Sequence, residues 1–306
     1  MAAGILVVGE SLVDVVRRAD GSVQEYAGGS AANVAIALAR LGQQSLFATS
    51  FAEDARGRMI AAHLARDGVT LATDPVAVTR TSTAMATIAA DGSATYAFDL
   101  DWRINPVLLD DVPVAVHACS IGAVLEPGAD DVAALLGQLR GTSTISYDIN
   151  VRASITGTGP DIVARIESLV ALADVVKASD EDLEQLYPGR SIEASAEHLR
   201  GLGPTAVVVT RGGSGASAYT RAGRVDVLTP RVDVVDTIGA GDTFMAGLIG
   251  ALAERGLLGG DRLVALVEAD ADTWAEALSF AAQAAAINVS RPGADPPYRG
   301  ELTPAR

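Results

Sequence analysis

Seven residues, Asp236-Thr-Ile-Gly-Ala-Gly-Asp242, lead into Thr243-Phe-Met-Ala-Gly-Leu-Ile249 and place one carboxylate among glycines where a helical pattern begins. Glycines at 239 and 241 let the chain turn tightly and bring backbone N–H groups close to a ligand. The helix that follows adds partial positive charge at the same point, so an anion belongs there. Asp242, within reach of that anion, could take a proton from a hydroxyl as its oxygen attacks phosphorus, which is phosphoryl-transfer chemistry. Taken alone, the segment would serve equally as a capped helix start, because Asp and Gly are common at such ends.

A second glycine turn, Gly28-Gly29-Ser30-Ala-Ala-Asn33, feeds an alanine-rich helical pattern ending near Gly42. Gly28 and Gly29 could offer N–H groups to substrate hydroxyls, and Asn33 carries both a donor and an acceptor suited to a polyol. The competing reading has Ser30 as a helix cap and Asn33 merely exposed. Asp14, soon after the first apolar run, could accept two sugar hydroxyls or simply sit solvated in a loop. Gly213-Ser-Gly215-Ala-Ser-Ala218 matches the dinucleotide pattern G-x-G-x-x-A, but Ala216 to Thr220 alternates like a strand where that pattern needs a helix.

Apolar runs at Ile5 to Val8, Ser45 to Ala48, Val114 to Cys119, Thr144 to Tyr147, Asp174 to Val176 and Ala206 to Val209 read as buried strands. Helical spacing appears at Ser30 to Leu41, Asp54 to Arg66, Asp130 to Leu139, Pro160 to Leu172, Ala194 to Leu202, Thr243 to Glu254 and Thr273 to Val289. This alternation predicts an α/β fold: three α/β/α layers around a mainly parallel central sheet. Thr83 to Asp99 instead reads as a hairpin closed by a tight turn at Asp91-Gly92. With the strand-like Val13 to Arg17 and Val23 to Tyr26 it would form a small β-sheet, a lid or a subunit contact. The tail from Pro292 to Arg306 is proline-rich and reads as irregular.

The 306 residues carry a net charge of −15, which argues against nucleic acid as a partner. No run approaches the roughly 18 apolar residues of a membrane helix, and the start lacks a basic signal-peptide region; the reading is no membrane partner and a cytoplasmic protein. The single cysteine, Cys119, reads as a buried core thiol. Of the 23 basic residues only Lys177 is a lysine, and no glycine-rich loop precedes it, which excludes a Walker A loop.

The glycine-rich amino-terminal stretch and DTIGAGD together resemble the two patterns of the PfkB carbohydrate kinase family, with its ribokinase-like fold. Tyr147-Asp-Ile-Asn-Val-Arg152 resembles the family's D-x-N-x-R, Lys177-Ala-Ser-Asp-Glu-Asp182 its N-x-x-E, and Thr210-Arg-Gly-Gly-Ser-Gly215 its nucleotide loop. The resemblance covers nearly the whole chain, as one kinase domain over 1–306 with lid strands inserted at about 12–27 and 79–102. It implies that Asp242 is the catalytic base and that Gly239, Ala240 and Gly241 form the anion hole. Sugar would meet Asp14, Gly28, Gly29, Asn33 and Phe98, with Asn150 and Arg152 binding substrate or neutralising phosphate; ATP would meet Ser179, Thr210, Gly212, Gly215 and Gly241. Ser179 and Asp182 depart from the Asn and Glu of the mid-chain pattern, which shortens the reach of Asp182 toward Mg²⁺. A K⁺ site would draw on Asp236, Ile238, Asn288, Arg291 and Gly293.

The resulting expectation is an ATP-dependent sugar kinase acting on a primary hydroxyl, and a homodimer through the lid. The Thr81-Ser-Thr83 run and the segment Tyr96-Ala-Phe98-Asp-Leu-Asp-Trp102 look most like fructokinase-type members and favour fructose. Acceptors such as 2-keto-3-deoxygluconate, ribose or a nucleoside are the alternatives within the family. An NAD-dependent oxidoreductase using the 213–218 loop, or a noncatalytic sugar-binding protein, are the alternatives outside it.

Overall fold

The computed structural model describes residues 4–89 and 93–302. In chain order its strands are β1 (Ile5–Val8), β2 (Leu12–Arg17), β3 (Val23–Gly28), β4 (Ser45–Ala48), β5 (Thr70–Leu71), β6 (Thr83–Ile88), β7 (Ala94–Asp99), β8 (Ala115–Cys119), β9 (Thr144–Asp148), β10 (Val175–Ser179), β11 (Ala206–Thr210), β12 (Ala216–Thr220) and β13 (Gly223–Val227). One sheet runs β13-β12-β11-β10-β9-β8-β1-β4-β5 and a second runs β3-β2-β6-β7.

From β5 to β11 the larger sheet is parallel; only β12 and β13 pair antiparallel, at its edge. Parallel strands need helical crossovers, which cover both faces, and this is why Leu6, Val8, Val116, Ile145 and Val207 are all fully buried. On one face lie the helices Ser30–Arg40, Ala240–Glu254 and Ala271–Val289; on the other lie Gly128–Leu139, Pro160–Leu172 and Ile192–Gly201. The expected three layers are therefore present. Cys119 is fully buried and unpaired, as its apolar setting implied. Among the described residues no helix is long and apolar enough to cross a membrane.

Two differences from the sequence reading matter for the site. The helix expected from Thr243 starts at Ala240, which brings Gly241 and Asp242 into its first turn. The strand expected to stop at Val176 continues to Ser179, and a short helix Asp180–Leu186 follows at once. That helix spans too little sequence to show a periodic apolar face. It is stabilised instead by three acidic residues in its first turn and a reciprocal cap between Ser179 and Asp182.

The small sheet forms from the segments expected: β2 pairs antiparallel with β3 and parallel with β6, which pairs antiparallel with β7. The expected turn at Asp91-Gly92 lies outside the described residues. Thr81 and Ser82 fasten the base of this lid. Thr81 gives its N–H and its hydroxyl to the Asp54 carboxylate, and Ser82 Oγ donates to the Asp101 carbonyl. Where the lid chain rejoins the body, Trp102 is buried and donates its indole N–H to the Gly122 carbonyl at 2.8 Å.

Candidate active site

In a parallel sheet the crevice lies beyond the carboxyl ends of the strands, deepest where neighbouring strands connect in opposite directions. Here that reversal falls between β1, whose other neighbour is β4, and β8, which leads on to β9. Glu10 follows β1, Ser120 and Gly122 follow β8, and Asn150 and Arg152 follow β9; Ser179 and Thr210, paired in register, end β10 and β11. The helices bearing Ser30, Asn33 and Asp242 begin at the same edge.

Gly239 is the cap of the Asp242 helix and holds φ = 72°, a left-handed conformation costly for any residue with a Cβ. Ala240 N–H turns back to the Thr237 carbonyl at 3.3 Å and Thr243 N–H bonds Gly239 O at 2.8 Å. The N–H groups of Gly241 and Asp242 remain at the helix start, where an anion is favoured. Asp242 is 6% exposed, and both its oxygens are engaged: Ser30 Oγ donates to Oδ1 at 2.7 Å and Asn33 Nδ2 to Oδ2 at 2.8 Å. Asn150 Nδ2 in turn donates to Ser30 Oγ at 2.9 Å. Ser30 is thus not a helix cap. That place belongs to Gly29, at φ = 105°, and the hydroxyl is spent on the carboxylate.

Asp14 lies on β2 in register with Tyr26 of β3 and Ala84 of β6, and Ala84 pairs with Phe98 of β7. These residues form one row across the lid. The Asp14 carboxylate lies against Gly28, where a Cβ would fall 2.6 Å from Oδ2, and burial pushes its pKa up to about 6. The lid thus carries a half-buried carboxylate toward the second glycine turn.

Where the sequence suggested a nucleotide loop, β11 ends at Thr210 and a 3-10 turn over Gly212–Ser214 leads into β12. Strand β12 stands where the dinucleotide pattern requires a helix, so the 213–218 stretch is not a Rossmann turn. Arg152 is exposed and makes no ion pair among the described residues; its guanidinium donates only to the Asn150 and Val151 carbonyls. Asp182 spends Oδ1 on Val151 N–H and Oδ2 on Ser179 N–H. It ties the chain after β9 to the end of β10, each oxygen accepting one backbone N–H. No cluster of His, Cys, Asp and Glu with metal-ligand geometry occurs among the described residues.

The cation positions do converge. Asp236 accepts from Ile238 N–H at 3.0 Å and Gly293 N–H at 2.9 Å, and these backbone donors, Ile238 first, hold its carboxyl below the usual range. Asn288 Nδ2 donates to the Ile238 carbonyl at 2.8 Å while its Oδ1 is buried with no hydrogen-bond partner. That oxygen lies near Gly239, where a Cβ would fall 3.8 Å from it, and an unpartnered buried oxygen can accept a cation. Arg291 turns its guanidinium to Glu301 and Asp295, which leaves only its carbonyl for such a site.

Two buried features went unassigned in the sequence. Glu10 is 4% exposed, accepting from Ser30 N–H at 3.3 Å and from Gly122 N–H at 2.8 Å. Lys177 is 3% exposed and gives two bonds, 2.8 and 2.7 Å, to Asp148. Its ammonium sits behind the phosphoryl-type turn: a Cβ on Gly241 would fall 3.3 Å from Nζ. Burial lowers the Lys177 pKa, but the charges of Asp148, Asp182 and Asp242 outweigh it and hold the ammonium protonated. The available sequence signals were a Glu directly after a buried strand, and one lysine among 23 basic residues.

A three-layer sheet, a lid over its carboxyl edge and a buried carboxylate at an anion-binding helix start together define a phosphotransferase that acts on an alcohol. The family model described as "pfkB family carbohydrate kinase" matches residues 2–299. The chain belongs to that family. It is 38% identical over 267 residues to a fructokinase from Rhizobium leguminosarum bv. trifolii, covering 83% of this chain and 81% of that one. Among solved structures it is similar to the fructokinase from Xylella fastidiosa with bound ATP, at TM-score 0.82 and 27% identity, over 96% of this chain and 94% of the other. A double mutant of the Vibrio cholerae O395 fructokinase, with fructose, ADP and potassium bound, matches at TM-score 0.74 and 27% identity, over 96% and 94%.

Proposed function

We propose that this protein transfers the γ-phosphoryl of ATP to the primary hydroxyl of a small sugar, and that the sugar is fructose. The observation that carries the reading is Asp242, a buried carboxylate in the first turn of a helix whose N–H groups and partial positive charge suit a phosphoryl group. Asp242 takes the hydroxyl proton as that oxygen bonds to the γ-phosphorus. The bond to the β–γ bridging oxygen breaks, and ADP leaves with its electrons. Gly239, Ala240 and Gly241 line the hole that stabilises charge on the transferring group. Asp14, Gly28, Gly29, Asn33 and Phe98 hold the sugar, and Ser179, Thr210, Gly212, Gly215 and Gly241 hold the nucleotide. Asn150 and Arg152 face the phosphates.

Mg²⁺ would be held by the ATP phosphates and, through water, by Asp182, whose oxygens each accept one backbone N–H, and would neutralise charge on the phosphoryl group being transferred. A K⁺ ion would be held by Asp236, Asn288 and the carbonyls of Ile238, Arg291 and Gly293 and would add positive charge beside the Gly239 turn, a placement supported by the unpartnered Asn288 oxygen. The whole chain works as one kinase domain in the cytoplasm, independent of nucleic acid and membranes. Exposed Tyr26 and Tyr96, which share one face of the lid, support pairing of two lids in a homodimer. Light scattering checks that assembly.

The similarity to fructokinases supports fructose over other acceptors. A screen of fructose, ribose, 2-keto-3-deoxygluconate and nucleosides, following ADP release, tests it. Fructose should give the highest kcat/KM; ADP release with none of these acceptors would remove the reading.

A further inference from the structure

Buried carboxylates that chemistry does not need are costly, so each calls for a structural reason. Glu10 has no charged partner among its hydrogen bonds; its two oxygens are instead divided between the backbones of two elements. Through Oε1 it accepts from Ser30 N–H, at the start of the helix that follows the second glycine turn. Through Oε2 it accepts from Gly122 N–H, in the short helix Ser120–Val124 that follows β8. Each donor residue has a second bond. The Gly122 carbonyl receives the Trp102 indole, where the lid chain rejoins the body, and the Ser30 hydroxyl donates to Asp242. Links of 2.8, 2.8, 3.3 and 2.7 Å thus run from Trp102 through Gly122, Glu10 and Ser30 to Asp242.

We propose that Glu10 is a positioning residue which ties the lid base at Trp102 to the catalytic base Asp242, so that the lid's seating sets the orientation of the carboxylate. This rests on the kinase reading of Asp242. Packing makes the connection specific. A Cβ on Gly122 would lie 2.5 Å from Glu10 Oε2, and a Cβ on Gly128 would lie 2.4 Å from the Trp102 ring, so the relay passes through positions that accept no side chain. Backbone strain marks the same place. Ser120 (φ 54°) and Asn150 (φ 41°) are the non-glycine residues with positive φ among those described; Ser120 Oγ donates to the Asn150 carbonyl, and Asn150 donates to Ser30. Such conformations persist where the surroundings over-determine them, as at sites that need fixed geometry. Burial, and secondarily the charge of Asp242, push the Glu10 carboxyl up to about 7 against the pull of its backbone donors, so the connection is maintained at electrostatic cost.

The test uses the full-length protein, Glu10→Gln, Trp102→Phe and the double variant. An amide cannot accept from both N–H groups with the donor end facing one of them, so Glu10→Gln should lower kcat about tenfold while KM for ATP moves less than about twofold. Trp102→Phe, which removes only the indole N–H, should lower kcat about threefold. The double variant should be no slower than Glu10→Gln, because both changes cut one chain. Multiplying effects, or an unchanged kcat in either folded single variant, would overturn the proposal. If Glu10→Gln does not fold, kinetics of Trp102→Phe decide alone. A second readout does not depend on turnover: the Trp102 indole ¹⁵N–¹H resonance should move in Asp242→Asn and stay fixed when Glu10→Gln is added. A wild type that phosphorylates no sugar would sink the kinase reading, whereas an indole resonance indifferent to Asp242 would sink the relay.

Discussion

Ser30 Oγ donates a 2.7 Å hydrogen bond to Asp242 Oδ1 across 212 positions of sequence. Asn33, one turn along the same helix, occupies Oδ2. Both glycine turns are thereby joined at one carboxylate.

Asp242→Asn keeps the shape of the side chain and removes its basicity. A general base is worth roughly 100- to 10,000-fold, so turnover should fall at least about 100-fold while KM for sugar and ATP change little. Steady-state kinetics with the purified variant measure this. Near-normal kcat would remove Asp242 as the base.

Ser30→Ala deletes the bond to Oδ1 and leaves Asn150 Nδ2 without its acceptor. Hydrogen bonds to charged groups contribute about 1.5–3 kcal/mol, so kcat should fall about ten- to a hundredfold. Thermal unfolding should show that the fold survives. A serine acting only as a helix cap would instead lower stability and spare kcat.

The layers of this fold were legible because buried parallel strands and their covering helices write long periodic runs, as at Ile5–Val8 and Pro160–Leu172. Candidate residues were legible where chemistry is packed into adjacent positions, as in Gly239-Ala-Gly-Asp242. What could not be read is pairing between distant segments. Nothing local distinguishes Ser30 as a cap from Ser30 as a donor to Asp242, or Asp182 as a metal contact from Asp182 as the tie between β9 and β10. The short helix Asp180–Leu186 escaped because two turns are too few to show a period.

Potassium should stabilise the protein through the site at Asn288, whose Oδ1 lacks a partner. A ligand at 100 times its dissociation constant adds about 2.7 kcal/mol to stability. Melting should therefore occur at higher temperature in KCl than in tetramethylammonium chloride of equal ionic strength. Asn288→Leu should erase the difference. Identical melting of the wild type in both salts would rule the site out.

Glu10 gives a pH signature with a definite sign. Its carboxyl stands at about 7 in the folded chain against 4.5 for the free group, raised first by burial. The folded state holds this proton more tightly. The contribution is therefore complete below about pH 4.5 and is lost as pH rises through 7. From pH 5 to 8 the loss amounts to about 2–3 kcal/mol. Glu10→Gln cannot titrate, so the stability gap between wild type and variant should shift against the wild type by that amount. Urea unfolding at fixed pH values measures the gap, and a constant gap would show that Glu10 ionises as freely folded as unfolded.

Lys177 and Asp148 present the opposite situation, a buried pair whose charges satisfy each other through two bonds. Lys177→Met leaves the fully buried Asp148 carboxylate alone and should destabilise the protein by about 3–5 kcal/mol. Adding Asp148→Leu removes the stranded charge, so most of that stability should return. Turnover should not return with it. The Lys177 ammonium lies directly behind Gly241, where its field adds to the positive end of the helix at the proposed phosphoryl site. A double variant that is stable but slow separates this electrostatic contribution from the fold; one that is stable and fast would confine Lys177 to a structural pairing with Asp148.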